Sequence, residues 1–284
     1  MSEAALDSGR SWRARLELEV LAEHARSRLG ARSHEGPLRI QRPFYPEGDS
    51  PLHLYLLHPP GGLVAGDQLG ISVTLREGAR ALITTPAAQK LYRSTGEQSS
   101  QDVRLSVAAG ACLEWLPTET IVFDGAYSRQ STRVVLEPGA ACLAWDIGCF
   151  GRKASGLPFE RGSFRQEFEL WRASEPLLVE RNLVRGGSSL LGEACGYAGF
   201  SVYGNLYAVP PRDCALSSLL PELRELLESV KGVQAAASVL GELLLVRVLG
   251  HGAEPVRRAL VGAWRILRPL VAERPPHPPR IWAT

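Results

Sequence analysis

Three copies of one short plan limit what this chain can fold into. They are Val73-Thr74-Leu75-Arg76-Glu77-Gly78-Ala79, Leu105-Ser106-Val107-Ala108-Ala109-Gly110-Ala111 and Val134-Val135-Leu136-Glu137-Pro138-Gly139-Ala140. Each has two apolar residues spaced two apart, a turn carrying Gly-Ala, and then a second apolar run. The glycines lie 32 and 29 residues apart. Such a spacing suits stacked strand-turn-strand layers, in which each layer buries its apolar face on the next.

The same period-two alternation appears in residues 12–20, 52–57, 71–75, 103–107, 134–136, 164–170 and 177–183, with Gly and Pro between the runs. These read as half-buried strands, so the chain is mainly β down to about Val209. After Pro210-Pro211 the spacing changes. Leu216, Leu219, Leu220, Leu223, Leu226, Leu227 and Val230 recur at three and four, predicting an amphipathic helix that stops before Gly232. Residues 233–240 and 242–249 read as two strands around Gly241. A second helix follows, with Val256, Leu260, Trp264, Leu267 and Val271 on one side. The expected architecture is a layered, β-helix-like solenoid body with a C-terminal α-β-β-α element, forming a single domain over 11–273. Residues 1–10 and 274–284 are expected to be extended tails, since Arg274-Pro275-Pro276-His277-Pro278-Pro279-Arg280 cannot be helical.

Bulk properties exclude several function classes. Of the 284 residues, 45% are hydrophobic and 22% charged, which is enough for a large core. Net charge is only +2 and the arginines are scattered, so no basic stripe marks a nucleic-acid binder. No apolar run can span a bilayer, and Arg247 interrupts the longest candidate. The first residues, Met1-Ser2-Glu3-Ala4-Ala5-Leu6-Asp7, are acidic where a secretory leader would be basic. The five cysteines, Cys112, Cys142, Cys149, Cys195 and Cys214, are therefore expected as reduced thiols of a cytoplasmic protein.

Catalytic signatures are missing. Gly61-Gly62-Leu63-Val64-Ala65-Gly66-Asp67-Gln68 has the glycine spacing of a phosphate loop, but Asp67 and Gln68 stand where Lys and Ser or Thr are needed. Pro255 replaces the third glycine of a dinucleotide fingerprint at Gly250-His251-Gly252. No His-Glu-x-x-His, Cys-x-x-Cys or Gly-x-Ser-x-Gly occurs. Cys142 and Cys149 read as small buried hydrophobes.

What stands out instead is carboxylates set among apolar or Gly-rich residues: Glu47, Asp67, Glu114, Asp146 and Glu180. A carboxylate facing a dry core costs several kcal/mol unless paired, hydrated or metal-bound. A subset pointing inward would therefore imply a wet, acidic interior path. Each also has a plainer account. Glu47 and Asp67 can cap turns. Glu114, opposite Leu113 and Trp115, can face solvent. Glu180 can pair with Arg181 or Arg185.

Over nearly its whole length the chain resembles the UreD (UreH) family of urease accessory proteins. The resemblance is carried by Gly36-Pro37-Leu38, Pro43-Phe44-Tyr45-Pro46-Glu47, the His58-Pro59-Pro60-Gly61-Gly62 to Gly66-Asp67 segment, Thr85-Pro86-Ala87-Ala88, Leu113-Glu114-Trp115-Leu116-Pro117, Glu119-Thr120-Ile121-Val122-Phe123, Gly151-Arg152, Val246-Arg247-Val248-Leu249-Gly250, Trp264-Arg265-Ile266-Leu267-Arg268-Pro269 and Pro279-Arg280-Ile281-Trp282. One departure is Leu157-Pro158, where the family often carries Gly-Glu.

The resemblance implies a layered β body with two helices and a non-enzymatic role as a urease maturation chaperone. It implies binding to apo-urease and to UreF, with UreG reached through UreF. It also implies nickel passing through an internal, water-filled tunnel with no tightly bound cofactor. Ni²⁺ held by several Cys or His ligands would be nearly trapped, whereas scattered oxygen ligands give weak, multiple stops. Glu47, Asp67, Asp146 and Glu180 are the candidate transient nickel ligands. Two other readings are a β-solenoid carbohydrate-active enzyme using two of the carboxylates and a generic protein-binding scaffold.

Overall fold

The computed structural model describes residues 11–212 and 214–283. Strands make up 49% of it and helices 15%, in a β-solenoid-like arrangement of about four turns.

Alternation and the Gly-Ala corners explain the coil. One sheet stacks five parallel strands: Arg13–Glu23, Gln68–Leu75, Ser99–Val107, Tyr127–Leu136 and Ser163–Arg172. Their register aligns Leu18, Val73, Leu105, Val134 and Leu170 in one column, and all five are buried. Each layer thus covers the apolar face of the next. The antiparallel strands Arg26–Glu35 and Glu175–Arg185 close the two ends.

At the corners Gly78, Gly110 and Gly139 have φ of +69°, +67° and +77°, a left-handed conformation that L side chains rarely take. They stack on one another: a Cβ built on Gly110 would lie 3.9 Å from Gly78, and one on Gly139 would lie 3.9 Å from Gly110. The alanines that follow, Ala79, Ala111 and Ala140, turn inward and are buried.

The second sheet stacks Leu52–Leu57, Arg80–Thr84, Cys112–Trp115 and Ala141–Phe150 in parallel, then adds Val202–Val209, Leu243–Gly250 and Val233–Leu240 antiparallel. A short third face, Gln89–Leu91 and Thr120–Val122, pairs with residues 148–150. One apolar core lies between the two large sheets. A second lies between the outer face of the second sheet and two helices, α1 (Leu220–Ser229) and α2 (Ala253–Val271).

The α-β-β-α element is present, with local differences. Residues 216–219 form a 3₁₀ turn before α1, and the later strand begins at Leu243. The C-terminal tail is not wholly extended. Residues 275–279 carry no regular structure, but Arg280–Ala283 form a 3₁₀ turn. Trp282 packs there on Trp145 and Trp264, with ring centroids 5.1 and 5.4 Å away. Its indole N–H donates to Thr84 Oγ1 at 3.1 Å. This tail is part of the second core. The expected N-terminal tail, 1–10, lies outside the described residues.

Candidate functional site

The inner face of the first sheet is largely apolar, and its polar positions include one row of amides. Register places Gln101 beside Gln130, Gln130 beside Gln166 and Gln166 beside Asn182, so four amides run across successive layers. Parity puts them on the same side as Val103, Thr132 and Phe168, facing the opposite sheet. Asn182 Nδ2 donates to Gln166 Oε1 at 2.8 Å, and Gln166 Nε2 donates to Asp146 Oδ2 at 3.1 Å. Gln130 Nε2 donates to Thr120 Oγ1 at 3.2 Å.

A cavity of about 300 Å³ opens along this level between the sheets. Gln101, Gln130, Thr132, Asp146 and Tyr203 line it on the interior side, while His58, Thr85, Gln89 and Thr118 line it toward the loops. His58 Nδ1 and Gln89 Nε2 are buried there without a hydrogen-bond partner among the described residues. Burial lowers the His58 pKa, against the nearby charge of Asp67, which favours the neutral imidazole. These polar groups stand on a wall that is otherwise largely apolar, and a water bridging them would satisfy the two atoms that lack partners.

Asp146 faces this cavity. Leu143, Trp145, Ile147 and Cys149, its odd-numbered neighbours, point to the second core, so alternation aims Asp146 between the sheets. Its carboxylate accepts from Gln166, from Asn205 Nδ2 at 3.3 Å and from the Tyr207 hydroxyl at 3.3 Å. Burial, and then the charge of Glu180, push its pKa up to about 7, while hydrogen bonds from Asn205, Tyr203 and Tyr207 oppose the rise. Glu180 reaches the same tyrosine, accepting from Tyr207 Oη at 2.9 Å, and it is ion-paired with the surface residue Arg247. Arg181, the sequence neighbour suggested as its partner, pairs with Glu169 at 3.3 Å instead. Asp146, Tyr207, Glu180 and Arg247 thus form a polar chain from the cavity to the surface.

The other two candidate ligands stand elsewhere. Asp67 is a turn cap: its Oδ1 accepts from Trp12 N at 2.8 Å and its Oδ2 from Val64 N at 3.0 Å. Glu47 lies in a buried network on the outer side of the second sheet. It accepts from His53 Nε2 at 2.8 Å and from Arg268 at 2.7 and 2.8 Å. Burial pushes its pKa up, but the bonds from His53 and Arg268 outweigh this and hold it at about 2.

Glu114 belongs to the same network. It does point away from Leu113 and Trp115, as alternation requires, but α2 covers it. It accepts from Trp264 Nε1 at 2.7 Å and from Arg268 at 2.9 to 3.1 Å. Arg268, fully buried, is the residue that sequence reasoning passed over. Its signal was an arginine four residues after Trp264, on the apolar side of an amphipathic helix.

Among the described residues no group of three or more His, Cys, Asp or Glu side chains is arranged to hold a metal ion. Burial pushes the Cys112 and Cys149 thiols up to about 12, so they are poor thiolate ligands.

A β-solenoid with a cavity between its two large sheets and helices packed on one outer face is the class of protein that the fold defines. The model of the family "UreD urease accessory protein" matches residues 13–283. A protein of Hahella chejuensis named urease accessory protein UreD is 40% identical over 292 residues, covering 99% of this chain and 93% of its own length. The namesakes in Alkalilimnicola ehrlichii and Pseudomonas putida strain W619 are 45% and 42% identical, covering 96% of this chain and 92% and 95% of their own lengths. The chain belongs to the UreD family of urease accessory proteins, and its role lies in urease maturation. Among the described residues no helix is long and apolar enough to cross a membrane.

Proposed function

We propose that this chain is a cytoplasmic, non-catalytic chaperone that binds apo-urease together with UreF and, through UreF, UreG, and that nickel passes through its interior on the way to urease. The observation that carries the reading is the amide level of Gln101, Gln130, Gln166 and Asn182 ending at Asp146 on a cavity of about 300 Å³. Four stacked amides and a half-buried carboxylate between two largely apolar sheets have little structural use. A hydrated Ni²⁺ ion has a use for them, because amide and carboxylate oxygens give brief stops that imidazole and thiolate clusters would turn into traps. Since Glu47 and Asp67 are held by other partners, the proposed path narrows to Asp146 and Glu180.

The test is replacement of the resident UreD in a urease operon. This chain is expected to co-purify with the urease subunits and to restore urease activity in nickel-supplemented cells. Co-purification with neither urease nor the accessory proteins, and no activity, would overturn the reading.

A further inference from the structure

A second groove, of about 560 Å³, lies between residues 253–265 of α2 and the C-terminal tail, ahead of the buried Arg268 network along the helix. Its lining is unusually cationic. Arg257, Arg258 and Arg265 come from α2 and Arg280 from the tail, against only Glu119 and Glu254. Arg258 is already held by Glu254 at 3.2 Å. Among the described residues Arg257, Arg265 and Arg280 make no ion pair, and one terminal nitrogen of Arg257 is buried with no acceptor. The Arg257 guanidinium lies 5.9 Å from the ring centroid of Trp282, which the Thr84 bond and the Trp145 and Trp264 rings hold in place.

A guanidinium nitrogen removed from water needs an acceptor, and here none is supplied from within. We propose that this groove docks an acidic segment of a partner protein. Its carboxylates would be taken by Arg257, Arg265 and Arg280, and an apolar residue between them would lie on Trp282 and Val261. Arginine forks bind carboxylates bidentately, which fixes orientation as well as charge. The near-neutral chain as a whole, at net +2, makes this a local complement to acidic groups rather than a nucleic-acid surface.

The proposal rests on the reading that the chain works bound to other proteins. The test needs none of those partners, so its failure is distinguishable from failure to support urease activation. The full chain is titrated with an acetylated, amidated Glu-Glu-Leu-Glu-Glu peptide and followed by calorimetry. Saturable binding is expected, weakening at least about tenfold when salt is raised from low to about 0.3 M. Arg265→Ala/Arg280→Ala, both at exposed positions, and Arg257→Ala/Arg280→Ala should each lower affinity by at least about tenfold. Arg185→Ala, on the first sheet, should leave it unchanged. Three results would overturn the proposal: no binding by the wild-type chain, equal binding of the Gln-Gln-Leu-Gln-Gln peptide, or unchanged affinity in both double variants. Binding seen only after removal of residues 283–284 would also overturn it, by making the chain's own terminus the occupant.

Discussion

The Tyr207 hydroxyl stands between two carboxylates, 3.3 Å from Asp146 Oδ1 and 2.9 Å from Glu180 Oε2. A single phenolic proton cannot serve both. The shorter contact takes most of that proton for Glu180, so the longer one gives Asp146 only weak relief of its burial. The raised pKa of Asp146, about 7 through burial and the Glu180 charge, agrees with that arrangement. A cation arriving in the cavity can then displace a proton, leaving a carboxylate to share with the metal and neutral amides around it.

Stability should record this proton. Folded Asp146 keeps it up to about pH 7, while the unfolded chain releases it near the ordinary value of 3.8. Between those limits the folded state binds more protons, so stability falls as pH rises through the window, by at most about 1.4 kcal/mol per pH unit. Asp146→Asn removes the titration. In urea unfolding between about pH 5 and pH 8, the wild type should lose stability relative to the variant as pH increases. Parallel curves would contradict the assignment.

Arg268 should be the most costly single side chain to remove. Arg268→Ala leaves Glu114 and Glu47 buried without their cation, and loss of one partner of a buried pair costs about 3–5 kcal/mol. Arg265→Ala, on the exposed side of the same helix, should change stability by no more than about 0.5 kcal/mol. Thermal and urea unfolding of the two variants compare them directly.

The corner glycines separate backbone strain from crowding. A Cβ on Gly110 meets nothing closer than 3.9 Å, so Gly110→Ala should cost only the left-handed conformation, about 1–2 kcal/mol. A Cβ on Gly148 would come within 2.2 Å of the Tyr203 ring, a wall of the cavity. Gly148→Ala should therefore displace that ring and lower urease activation, while Gly110→Ala should not once both are measured at a temperature where they are folded.

Much of the coil was legible because its signals are local. Period-two runs and Gly-Ala corners describe one layer and, repeated, describe the stack. The site was legible only in part, because it depends on which surfaces meet. Alternation correctly turned Glu114 away from Leu113 and Trp115, yet nothing nearby says that α2, some 150 residues later, covers that face. Asp67 follows the turn chemistry of its own loop, so the plainer account held. Glu47 did not, because its partner Arg268 is 221 residues away. The amide level was not read from the sequence, because aligning Gln101, Gln130, Gln166 and Asn182 needs the strand register, which the layer spacing sets only to within a few residues.

The most direct test of the central claim is the nickel content of urease matured with Asp146→Ala/Glu180→Ala in place of the wild-type chain, in complexes shown to assemble equally. The account predicts urease that is depleted in nickel and correspondingly inactive, although its partners are bound. Full nickel loading and wild-type activity in that urease would contradict passage through the interior.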